Sequence, residues 1–99
     1  MATIKINARV DYVGQSAYNK EDRFAVVNTT GNQDDINIVD ALLNIVSESY
    51  DFKYDGFGDP TYTAYWIPVD DYNDYKVFMQ EWKKAKKIFK ERMTFDFSK

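Results

Sequence analysis

From Ile4 to Tyr12 the chain alternates, with Ile4, Ile6, Ala8, Val10 and Tyr12 separated by Lys5, Asn7, Arg9 and Asp11. A period of two is that of a strand with one buried and one wet face. Gly14 to Asp22 is polar and turn-rich. Phe24 to Thr29 reads as a second strand, antiparallel to the first because the connection is short. The period then changes. Ile36, Val39, Leu43, Val46 and Tyr50 recur at helical spacing, and Ile38, Leu42 and Ile45 widen the stripe. That width predicts a helix lying squarely on a sheet, with Asn37, Asp40, Asn44 and Glu48 left to solvent. Asn32 or Asp34 supplies its cap, and acids in its first turn suit the helix dipole.

Tyr50 to Tyr54 alternates again and runs into Asp55-Gly56-Phe57-Gly58-Asp59-Pro60, which reads as a turn. Thr61 to Ile67 is β-branched and aromatic, a further strand that Pro68 ends. Asp70 or Asp71 caps a last helix expected to run to about Met93, with Tyr75, Phe78, Trp82, Ala85 and Phe89 as its apolar line. At 1.5 Å per residue such a helix is roughly 34 Å long, about the width of a domain of this size. Thr94–Phe97 is a candidate terminal strand. The expected class is therefore α+β: a ββαββα chain with an antiparallel sheet of four or five strands and two helices packed on one face.

At 99 residues the chain is expected to form a single domain over 1–99, burying roughly 60–70% of its unfolded surface. With 44% hydrophobic and 29% charged residues, disorder is not indicated. There is no cysteine and no run long enough for a membrane span, so a cytoplasmic protein is expected.

The charges change the picture more. Residues 1–75 carry thirteen acids against five bases, whereas residues 76–92 hold Lys76, Lys83, Lys84, Lys86, Lys87, Lys90 and Arg92 against two acids. The break falls at Tyr75, where a stretch rich in Asp, Tyr, Phe and Trp gives way to a cationic helix.

Candidate chemistry is sparse. Without His or Cys the commonest general base, the thiol nucleophile and the usual zinc ligands are missing. Asp70, Asp71 and Asp74 have the oxygens a hard cation wants, but they sit where helix capping already explains acids. Asp51 to Tyr62 fails as a calcium loop, because Lys53 and Tyr62 fall where ligands are needed. Gly56-Phe57-Gly58 precedes a strand instead of opening a helix, so no phosphate cradle is read there. The expectation is a non-enzymatic protein with no metal and no cofactor.

Two binding surfaces remain. The acidic–aromatic stretch suits protein docking, since exposed Tyr and Trp supply rigid contact area. Asp55, Phe57, Asp59, Asp70, Asp71 and Asp74 are its candidate residues. Such a chain is expected to be a stoichiometric binder or inhibitor of another protein, and its composition resembles that of accessory proteins of phages and mobile elements.

The alternative is nucleic-acid binding through Lys76, Lys83, Lys84, Lys86, Lys87 and Lys90. Lys83-Lys84-Ala85-Lys86 resembles the lysine cluster of double-stranded RNA-binding domains. Here, however, the cluster lies mid-helix, acids occupy the helix start and the strand order differs. Extended mimicry of DNA fails on arithmetic: sixteen acids cannot match the roughly 24 charges of twelve base pairs. Opposite-sign faces on one small protein also invite a homodimer.

Overall fold

The computed structural model describes residues 5–14 and 23–97, leaving aside the side chains of 93–97. The start of the first expected strand at Ile4 and the turn over 15–22 lie outside the described residues. Four strands and two helices follow in the order β1 (Ala8–Val13), β2 (Phe24–Thr30), α1 (Gln33–Ser47), β3 (Asp55–Gly58), β4 (Tyr62–Pro68) and α2 (Tyr72–Phe97). All pairings are antiparallel, and the strands stand side by side as β1-β2-β4-β3. This is the α+β, ββαββα arrangement that the periodicities predict.

The register divides the sheet into two faces. Val10, Val27 and Tyr65 lie in one cross-strand row, and Tyr12, Ala25 and Ile67 in the next. These residues meet the helices. α1 contributes Val39, Leu42, Leu43, Ile45 and Val46 to the core, and α2 contributes Phe78, Trp82, Ala85 and Phe89. The helices therefore cover one face only.

Both helix starts are capped by the side chains their positions favour. Asn32 accepts from the Asp34 N–H at 2.8 Å, satisfying one of the free amides of the first turn of α1. At α2, Asp71 accepts from the Asp74 N–H at 2.9 Å, and Asp74 reaches back to the Asp70 N–H at 2.9 Å. The reciprocal pair is a capping box with Asp in place of the usual Glu, displaced by one residue on its return bond.

Two local expectations are corrected. Residues 50–54 form no strand and have no strand partner among the described residues; Tyr50 and Phe52 pack their rings near Phe78 of α2 instead. The strand is Asp55–Gly58, inside the segment read as a turn. The turn itself is shorter, a two-residue loop at Pro60-Thr61. There the Asp59 N–H donates to the Tyr62 carbonyl at 2.8 Å, while Asp59 Oδ1 accepts from the Thr61 N–H, the Thr61 hydroxyl and the Tyr62 N–H. The Thr61 hydroxyl and amide hold the Asp59 carboxyl below its ordinary range.

The second correction concerns Thr94–Phe97. These residues continue α2, because no Gly or Pro interrupts the chain after Tyr72. At 26 residues this helix is about 39 Å long, within a molecule whose longest dimension is 50 Å. Among the described residues, no helix is long and apolar enough to cross a membrane.

Candidate functional site

The helix-free face of the sheet carries a row of rings. Strand parity sends Thr63, Tyr65 and Ile67 inward, so Tyr62, Ala64 and Trp66 of β4 point the other way, beside Phe57 and Asp55 of β3. On the far side of β4, Trp66 faces Val26 in the register and meets Phe24 edge-on, with ring centroids 5.4 Å apart. Phe57 and Tyr62 lie 6.1 Å apart. Val26 and Ala64 are buried on this face with no helix over them, since larger side chains stand beside them in the register. Phe57 remains 58% exposed, Tyr62 41% and Trp66 37%. The result is an apolar floor with aromatic walls open to solvent.

Polar groups rim this stripe. On the β1 side, Arg9 Nε donates to Asp11 at 2.9 Å, and Asn28 donates to the same carboxylate oxygen at 3.5 Å. On the β3 side Asp55 stands opposite Trp66 without an ion pair among the described residues. Asp59 closes the hairpin end. The arrangement favours a partner with apolar side chains over the rings and a cation near Asp55.

No protein-family model, curated protein or solved structure significantly matches this chain. Its function must therefore be argued from the geometry alone.

The structure gathers Asp55, Phe57 and Asp59 at the β3–β4 hairpin. It places Asp70, Asp71 and Asp74 at the other end of β4, roughly 20 Å away for a strand of this length. Asp71 and Asp74 are engaged in the α2 cap. Asp74 also accepts from the Tyr50 hydroxyl at 2.8 Å. Among the described residues, no group of three or more acidic side chains is arranged to hold a metal ion.

Sequence reasoning placed Tyr62 and Trp66 in the acidic–aromatic stretch but not among the candidate docking residues, and missed half-buried Phe24 beside them. A signal for Trp66 and Tyr62 existed in the parity of β4: once Ile67 is assigned to the core, its alternate neighbours must face outward.

The lysines occupy the opposite side of the molecule. Lys76, Lys83, Lys87 and Lys90 are exposed along one line of α2. Lys84 is paired with Glu81 at 3.1 Å, Lys86 is half-buried, and Lys76 sits over the Tyr72 ring at 5.3 Å. Glu81 is further held by the Ser49 hydroxyl, which with Lys84 lowers its carboxyl pKa.

Proposed function

We propose that this chain is a non-enzymatic protein-binding module that docks a partner on the open face of its sheet and acts by occupying that partner's surface. The observation that carries this reading is the solvent-exposed row Phe57, Tyr62 and Trp66 over a buried apolar floor. Aromatic residues in such settings dominate binding energy when a partner excludes water from them. Asp55 adds selectivity for a basic neighbour.

The test is capture of a partner from the protein's own cells, followed by titration of that partner against variants. Phe57→Asp and Trp66→Ser together are expected to weaken capture at least tenfold, the loss expected when more than about 1.4 kcal/mol of hot-spot contact is removed. Melting curves establish that the variant is folded. Undiminished capture by a folded double variant would remove the open face from the account.

A second reading has its own observation, the line of four exposed lysines on α2. It supports contact with a polyanion, and a salt-sensitive gel shift lost on replacing those lysines by Ala would favour it. The open face ranks first because the chain's net charge of −3 repels a polyanion from most directions.

A further inference from the structure

Among the described residues, β3 is the outer strand of the sheet, paired with β4 on one side only. The Asp59 N–H donates to the Tyr62 carbonyl, and hydrogen-bonded positions alternate along an antiparallel ladder. Residues 59, 57 and 55 therefore turn their backbone groups toward β4. Gly58 and Gly56 turn theirs outward, as does Tyr54 where the extended chain continues. All four residues of β3 are exposed, and two of them are glycines with no side chain to shield the edge. Native sheets guard such edges with short strands, charges, Pro or bulges; β3 is short but holds no Pro, and its one charge, Asp55, stands on the open face beside Trp66.

We propose that this edge pairs with the same edge of a second copy, antiparallel about a two-fold axis, joining two four-stranded sheets into one. Centring the two-fold on any residue of β3 keeps the two open faces on the same side and brings outward groups opposite one another; centring on Gly58 sets Gly56 against Pro60, which has no N–H. Centring on Asp55 sets two carboxylates directly face to face. Centring on Phe57 opposes Asp55 to Asp59 on both sides of the axis, and brings Tyr54 against Pro60, which has no N–H.

Centring on Gly56 avoids these faults. Lys53 then faces Asp59 of the second copy, twice over, and Phe57 faces Asp55. Gly56 pairs with Gly56 and Tyr54 with Gly58, giving about six backbone hydrogen bonds if each such pair exchanges both. Among registers centred within β3, backbone pairing and charge complementarity thus select one, with a second copy of this chain as the occupant. This inference stands apart from docking on the open face, although the dimer sets both aromatic rows on one side.

The chain contains no cysteine, so one engineered thiol reports the register. Cα atoms in a hydrogen-bonded antiparallel pair are about 5.5 Å apart, within disulfide range. A Cβ at position 56 meets only Tyr65 ring carbons, at 3.5 and 3.6 Å. Full-length Gly56→Cys is expected to oxidise to a covalent dimer about tenfold or more faster than Asp55→Cys or Phe57→Cys, because only the first pairs with itself within bonding distance.

Sedimentation of the unmodified protein from about 10 μM to about 1 mM is expected to show a monomer–dimer equilibrium that added salt weakens. Lys53→Glu should raise its dissociation constant roughly tenfold, as two cross-strand attractions become repulsions. Preferential cross-linking through 55 or 57, or equal rates at all three, overturns the register. Should Gly56→Cys fail to fold, the Lys53→Glu measurement decides. A wild-type chain that stays monomeric throughout, or pairs its β3 only with a different protein, overturns the proposal.

Discussion

Asp74 shows how much one carboxylate does in this structure. It accepts from the Asp70 N–H and the Tyr50 hydroxyl while lying in the first turn of α2, where negative charge is favoured. Asp74→Ala leaves the half-buried Tyr50 hydroxyl without its partner and removes half of the cap. The expected loss is about 1–3 kcal/mol, read from the urea midpoint. The same contact sets an alkaline limit. Burial, then the Asp74 hydrogen bond and the nearby carboxylates, pushes Tyr50 up to about 12, and burial with the Asp40 contact pushes Tyr65 up as well. In the unfolded chain these phenols ionise near 10. The folded state therefore keeps its protons longer, and stability is full below pH 10 and falls as pH rises from about 10 to 12. Absorbance titration of Asp74→Ala should show one phenol ionising closer to the ordinary value.

The β3–β4 hairpin is where element-scale reading went astray, and its neighbourhood explains why. Alternating Tyr50, Phe52 and Tyr54 imitate a strand, but their spacing serves ring packing against α2 and Tyr65. The glycines that imitate a turn are strand residues, and the bonds made by Asp59 set the real turn two residues later. Alternation and the helical stripe made β1, β2, β4 and both helices legible. Contacts distant in sequence decided β3 and which rings of the open face stay wet, whereas the end of α2 follows from the lack of any Gly or Pro after Tyr72.

Gly31, between β2 and α1, holds the hairpin in place. A Cβ there would collide with the Pro60 carbonyl and approach the Asp59 carbonyl oxygen to 3.0 Å. Because backbone obstructs it, Gly31→Ala is expected to cost about 1–3 kcal/mol in chemical denaturation. Gly56→Ala meets only a side chain at ordinary contact distance and should stay within about 0.5 kcal/mol of wild type.

Across the whole molecule the exposed lysine line of α2 and the open face of the sheet lie on opposite sides of a two-layer structure only 17 Å thick in its shortest dimension. Of the lysine line, Lys76 sits over the Tyr72 ring, but Lys83 makes no such contact among the described residues. Lys83 has Met79 and Gln80 behind it and Lys86 and Lys87 ahead of it at helical neighbour positions, so it meets like charges and no acid along the helix. Each such pair destabilises a helix by about 0.2–0.5 kcal/mol, and no ion pair to Lys83 exists among the described residues. Lys83→Glu converts both repulsions into attractions of the favoured orientation, with the acid nearer the N-terminus. The expected result is a gain of about 0.8–2 kcal/mol, measured as a raised urea midpoint at low salt and diminished in high salt. Such a gain means that the natural residue gives up stability at that position, which points to contact with something outside the fold. Lost stability would instead mean that Lys83 is held by the folded chain, and the lysine line would then need no partner to explain it.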